Sequence, residues 1–168
     1  MAKYSSMLPE LEYNGASIKD ITHRIALLDY VSEYSFMFYK QKIENEMTPE
    51  KLSLALYNNQ DYWWIICAIN NIIDPFYDWI MLETEVYAYA EKLYDNINDI
   101  HHWEDNEYNQ FDEDSPENDR VPITNIEWEI HKNELKRSVR IVKMEYISKI
   151  EKEFKMHMKK IPKQKQEE

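Results

Sequence analysis

Apolar and polar positions along this chain recur with two different periods, and the periods predict its elements. Behind Asp20, which is placed to cap a helix, Ile21, Ile25, Leu28 and Val31 recur at helical spacing, so residues 22–31 read as a helix with one apolar stripe. The preceding LEYNGAS reads as an extended approach to it. Residues 34–43 are aromatic-rich, and Phe38, Lys40 and Lys42 alternate with Tyr39, Gln41 and Ile43, which predicts a strand. Thr48-Pro49-Glu50 then starts a helix. The Thr oxygen can accept an orphan N–H, Pro gives up a donor that would be unpaired anyway, and Glu50 favours the positive end of the dipole. Leu52, Ala55 and Leu56 line one face, and Tyr57-Asn58-Asn59 breaks the helix.

Asn59 or Asp61 can start a second helix. Its stripe is Tyr62, Ile65, Ile66 and Ile69, with Trp63, Trp64 and Cys67 making the rest apolar too, so it is covered on more than one side. Asn70-Asn71 supplies a left-handed stop, and Asp74-Pro75 turns the chain into a second strand over residues 77–82. Strand, helix, helix, strand makes a compact βααβ unit. A helix over residues 84–94, opened by Thr84, follows, then a hairpin over 100–111 around Asp105-Asn106, then the acidic loop DEDSPEND.

From 127 to 158 the pattern predicts a single long helix without Pro or Gly. Leu135, Val139, Val142, Tyr146, Ile150, Phe154, Met158 and Ile161 recur about every 3.7 residues, closer to a straight helix than to a strict heptad. At about 1.5 Å per residue this helix reaches on the order of 40 Å, longer than the unit, so part of its stripe is expected to face a partner. Glu145 with Lys149 and Glu151 with Lys155 support its wet side. The expected fold class is α+β, with an N-terminal arm and helix over 1–33, a βααβ domain over 34–83, a helix plus acidic hairpin over 84–126, and the long helix with a frayed tail over 127–168.

Composition narrows the function. With 14% aromatic residues, 13 Tyr and a single Gly, the 168-residue chain is too aromatic for disorder, and at 31% charged residues too polar for a membrane protein. No run approaches the roughly 18 apolar residues of a span. The N-terminal segment lacks the pattern of a secretory signal, and the single Cys67 allows no internal disulfide, so folding in a cytoplasm is expected. The net charge of −12 argues against nucleic acid, but it is uneven. Nine acids and no Lys or Arg lie between Asp99 and Asp119, whereas Lys132 to Glu168 holds 12 bases against six acids. Such runs are ordinarily solvated surface; as separated patches they can also steer docking between neighbouring subunits.

The succession YNGASIKDITHR, a strand, then MTPEKLSLALYNNQDYWWIICAINNIIDPFYDW resembles the small baseplate wedge protein of T-even-type contractile-tailed phages, over residues 11 to 95. The late segment NELKRSVRIVKMEYISKIEKEF is similar in kind and position. Thr48, Pro49, Glu50, Leu56, Tyr57, Trp63, Asn70, Asp74, Pro75, Phe76 and Trp79 fall on that family's pattern, with Trp64 beside them and Asn58 where relatives often have Gly. The resemblance implies a LysM-like fold for the βααβ unit and a structural role in the virion. It implies six copies, one per wedge, joining wedge subunits and neighbouring wedges around the central hub, with hub or tail-tube proteins as further partners. It implies no enzyme activity, cofactor, membrane or nucleic acid.

Two other chemistries compete. A LysM-like fold suggests peptidoglycan binding, with Trp63, Trp64, Tyr77 or Trp79 as a stacking platform, although aromatics beside Ile at helical spacing ordinarily fill interiors. His101, His102, Glu104 and Asp105 can be written as a metal site, but adjacent His residues on a strand should point to opposite faces. Glu127, Glu129 and His131 read as a solvated acidic first turn. A chain with one glycine can hardly build a phosphate loop, and Cys67 lies in an apolar run suited to packing.

Overall fold

The computed structural model describes residues 4–20, 33–105, 107, 109–111 and 120–160. The helix expected over 22–31, the acidic loop, and Ile161 with the tail lie outside the described residues. In chain order the elements are α1 (Tyr4–Met7), β1 (Glu10–Tyr13), β2 (Ala16–Lys19), β3 (Phe38–Lys42), α2 (Pro49–Tyr57), α3 (Trp63–Ile69), α4 (Glu83–Leu93), β4 (Ile100–Glu104), β5 (Gln110–Phe111), β6 (Val121–Thr124), α5 (Asn125–Leu135), β7 (Ser138–Val142) and α6 (Ile147–Lys159). Short 3-10 turns precede β3, α3 and α6. The fold is mixed α+β with small antiparallel sheets. Its contacts divide it into two compact units that alternate along the sequence, one of Met1–Lys42, Met47–Pro75 and Val139–Glu168, the other of Ile43–Glu46 and Phe76–Ser138.

In the first unit, β1 and β2 form a hairpin closed by Asn14 and Gly15, which pairs Tyr13 with Ala16 and Glu10 with Lys19. Both turn residues have positive φ, 50° and 74°, as a tight two-residue turn matched to strand twist requires. This corrects the extended approach expected there; Asn-Gly between two short runs was a hairpin signal. Thr48 caps α2 by accepting from the Lys51 N–H, with Pro49 in the first turn, as expected. The face of α2 turned inward is Pro49, Leu52, Ser53 and Tyr57, whereas Ala55 is exposed. Asn58 ends the helix at φ 51°, a left-handed position where Gly or Asn is least strained. The Asn59 side chain accepts from Asp61 N–H and opens the turn that leads into α3, which buries Trp64, Ile65, Ile66, Cys67 and Ile69. Asn71, at φ 58°, is the left-handed residue after it.

The second strand of this unit is β7 and not residues 77–82. β3 pairs with β7, and the backbone bonds from Lys143 N–H to Met37 C=O and from Ile43 N–H to Arg137 C=O, both 2.9 Å, run in the opposite chain order expected of an antiparallel pair. A strand, two helices and a returning strand are therefore present, but residues 76–137 intervene between α3 and the return. The interior holds Met37, Leu52, Ile65, Ile66, Ile69, Ile141, Val142, Ile150 and Phe154, none more than 2% exposed.

The single helix expected over 127–158 is two helices with β7 between them, and α6, 13 residues long, is its C-terminal part. Val139, Ile141 and Val142 are β-branched, which suits a strand better than a helix interior, and β3 and the side chains described below supply their partners. Only Glu151–Lys155 of the two expected ion pairs lies within one helix, at 2.7 Å; Glu145 belongs to the turn before α6.

In the second unit, α4 and α5 pack through Val86, Ala90 and Ile126, flanked by Met81, Tyr94, Ile97 and Ile130. α4 begins at Glu83, one residue before the expected Thr84, and the Glu85 carboxylate accepts from the Leu82 N–H at 2.8 Å. The predicted hairpin is formed: β4 pairs antiparallel with β5, Trp103 opposite Phe111, and β6 pairs with the other edge of β4. α5 starts at a capping box, Thr124 and Glu127 each accepting from the other's backbone N–H. Residues 77–82, expected as a strand, are held by side chains instead. The Asn133 carboxamide donates to the Met81 C=O and accepts from its N–H, at 3.0 and 2.9 Å, and Lys136 Nζ donates to the Tyr77 C=O.

Candidate functional site: the clamp on the returning strand

Two helix-end side chains of the aromatic segment converge on β7. At the end of α2, the Tyr57 hydroxyl donates to the Val142 C=O at 2.9 Å, and its burial pushes the phenol well above its ordinary pKa. After α3, the Asn70 carboxamide donates to the Arg140 C=O and accepts from the Arg140 N–H, both at 2.7 Å, while donating also to the Ile66 C=O at 2.8 Å. A carboxamide so placed imitates a neighbouring strand, because it offers one donor and one acceptor to a single residue's outward-facing groups. Ser53 completes the support by donating from Oγ to the Asn59 C=O at 2.6 Å.

The remaining pattern residues divide between interior and surface. Trp64 is 3% exposed and lies 4.4 Å from Phe154; Tyr4 meets Trp63, Trp64 and Phe154 at 5.7 to 5.9 Å. These rings, with Cys67, Ala68 and Ile72, border a small apolar cavity of about 160 Å³. Trp79 is 5% exposed in the second unit, whereas Asp74, Pro75 and Phe76 are exposed, Phe76 at 83%. Thr48, Pro49 and Glu50 form the first turn of α2. Trp64 and Trp79 therefore lack the open faces a glycan platform needs, Trp63 is half-buried, and only Tyr77 of the four is widely exposed.

The stripe expected to face a partner is not one surface. Val139 and Val142 are buried in β7, Ile150 and Phe154 in α6, Tyr146 is half-buried in a 3-10 turn, and Leu135, at the end of α5, is 65% exposed. Four of the six positions thus fill the first unit's own interior.

The histidine pair also differs from expectation. A register irregularity in β4 between Ile100 and His102 breaks the strict alternation, so both rings come together, Nδ1 to Nδ1 at 2.8 Å. His102 Nε2 lies 2.9 Å from the Glu104 carboxylate, and Trp128 packs on both rings at 5.0 to 5.4 Å. Burial, and secondarily the His102 charge, lower the pKa of His101. Glu129 is not in a solvated turn: it is 4% exposed and accepts from the Tyr94 hydroxyl and from Lys132, while burial and that carboxylate push Tyr94 up to about 12. His131 stacks on Trp128, Glu127 serves the cap, and Asp105 accepts from Glu107 and Asn109. Among the described residues no group of three or more His, Cys, Asp or Glu is arranged to hold a metal, and no helix is long and apolar enough to cross a membrane.

The fold and these contacts define a small mixed α+β protein in which Tyr57 and Asn70 fasten the backbone of a distant strand. Residues 14–142 match the family described as base plate wedge protein 53, and the chain belongs to that family, a structural protein of the phage tail baseplate in the virion. The match spans both compact units and ends at Val142, the residue that Tyr57 holds. The chain is similar to baseplate wedge protein gp53 of Enterobacteria phage T4, 25% identical over 52% of this chain and 49% of the relative, so it spans about half the length of that protein.

Proposed function

We propose that the chain joins subunits within a baseplate wedge and neighbouring wedges around the central hub, in six copies per baseplate, through protein contacts and without catalysis. The observation that carries this reading is the family match running through both units, from the β1–β2 turn to the end of β7. The unit built from β3, α2, α3 and β7 is a LysM-like βααβ unit used as a scaffold, a reading supported by its strand and helix order. Its aromatic motif, Thr48 to Trp79, organises the fold. The surface left for partners includes Leu135 and Phe76, both largely exposed. The test is wedge reconstitution from purified subunits with and without this chain, followed by mass measurement of the assembled baseplate. The reading expects wedges that fail to join when the chain is omitted, and six copies when it is present. Joining of wedges in its absence would refute it.

A further inference from the structure

The two edges of the β3–β7 sheet are not equivalent. The bond from Lys143 N–H to Met37 C=O sets the ladder, so Tyr39 and Gln41 turn their backbone groups toward β7, and Lys40 and Lys42 turn theirs away. By the same alternation Arg140 and Val142 point outward from β7, and there Asn70 and Tyr57 occupy them. The β7 edge is thus closed by the protein's own side chains. Among the described residues nothing hydrogen-bonds the Lys40 or Lys42 backbone, and both residues are exposed. Tyr39, on the opposite face of the strand, is 40% exposed.

We propose that this open edge of β3 receives an extended, acid-bearing segment of a neighbouring baseplate protein as an added strand, an inference that rests on the joining role above. Main-chain bonds to Lys40 and Lys42 would supply the affinity, and acidic side chains at alternate positions of the incoming strand would lie opposite the two ammonium groups, which share one face. Edge lysines also protect a strand from pairing with its own kind, because two β3 edges side by side would bring Lys40 and Lys42 against like charge. The same lysines therefore reject a second copy and accept an acidic partner.

Amide hydrogen exchange on the full chain, free and incorporated into reconstituted wedges, tests this directly. Strand addition is expected to slow exchange at the Lys40 and Lys42 N–H groups by about tenfold or more on incorporation. Lys40→Pro, which deletes a donor that no described residue uses, should keep the free chain's circular dichroism and cut incorporation at least about tenfold. The exposed double variant Lys40→Glu with Lys42→Glu supplies a second arm, with loss of incorporation at low salt. If the chain incorporates normally while both amides exchange as in the free state, or if Lys40→Pro incorporates like the wild type, the added strand is refuted and the joining role stands. Failure of the wild-type chain to incorporate would remove both. Protection that appears in the purified chain alone and grows with its concentration would assign the edge to a second copy and overturn the acidic partner.

Discussion

The Asn70 carboxamide holds both backbone groups of Arg140, 70 residues further along the chain, each at 2.7 Å. No other described side chain of the first unit reaches so far to satisfy both groups of one residue, and its identity is demanding. Asn70→Ala loses these two bonds and the one to Ile66, a cost of about 3 kcal/mol at roughly 1 kcal/mol each. Asn70→Asp should do no better at neutral pH, since a carboxylate can accept from Arg140 N–H but faces its C=O with no donor. Urea denaturation of both variants checks this; an aspartate as stable as the wild type would mean the donor side of the amide is idle.

Tyr57→Phe removes a single buried donor from the Val142 C=O and should lower stability by about 1 kcal/mol while leaving the fold intact. In alkaline spectrophotometric titration of the wild type, the Tyr57 phenol should ionise above the ordinary tyrosine range because burial disfavours its phenolate, adding to the late signal that Tyr94 also gives. The late-titrating signal should shrink in the Phe variant.

Truncation before Leu135 should unfold the first unit and not release a soluble βααβ piece. The cut removes β7 and α6 and with them Ile141, Val142, Ile150 and Phe154, all at most 2% exposed. Loss of cooperative thermal unfolding and rapid proteolysis of residues 34–75 are the expected readouts. Retention of a protease-resistant core there would show that α2, α3 and β3 stand without their partner strand.

His101 makes the second unit sensitive to mild acid. Its pKa in the fold is lowered from the ordinary value near 6.5, chiefly by burial and then by His102, so the unfolded chain takes up the proton first. Its contribution is fully present above about pH 6.5 and is lost as pH falls through the lower folded-state value. His102, Lys132, Glu129, Tyr94 and Trp128 face it. Comparing His101→Gln with the wild type at pH 7.5 and 5.5 isolates the term: the variant should lose less stability between the two. Equal losses would remove His101 from the account.

Gly15→Ala should cost about 1 kcal/mol, through backbone strain alone. A Cβ there meets nothing within 4 Å, but φ is +74°, a region costly to L side chains. Thermal unfolding and the β1–β2 amide signals report it, and Gly15→Asn should recover part of the loss.

Local chemistry made the front half of the first unit readable and hid its closure. Thr48-Pro49 and Asn59 carry their signals within three residues, so their helices stand where expected, and the Asp105 hairpin carries its turn in the same way. β7 has no such advantage. Val139, Val142 and Ile150 fit a helical spacing of about 3.7 residues by coincidence of strand, turn and helix in succession, and the decision against a helix is made by Met37, Tyr57 and Asn70, far away in sequence. Residues 77–82 misled for the converse reason: an apolar run after Asp-Pro looks like a strand, but its hydrogen bonds go to Asn133 and Lys136. Of the site, the sequence motif marked Tyr57 and Asn70 without revealing what they hold. Ser53 and Asn133 carried no signal of their own, since a buried polar residue on a helix is recognisable only when its partner is known.

The late return of β7 also sets a schedule. At about 5 to 20 residues per second of synthesis, Asn70 leaves the ribosome roughly 4 to 14 seconds before Arg140 can meet it. For that interval Ile65, Ile66 and Ile69 have helix partners but no completed sheet to lie on, and α3 is an exposed apolar surface in a crowded cell. A nascent chain of this design has to depend on fast closure once residue 142 emerges, or on something else covering α3 until then, so the rate of translation through residues 76–137 becomes a determinant of yield.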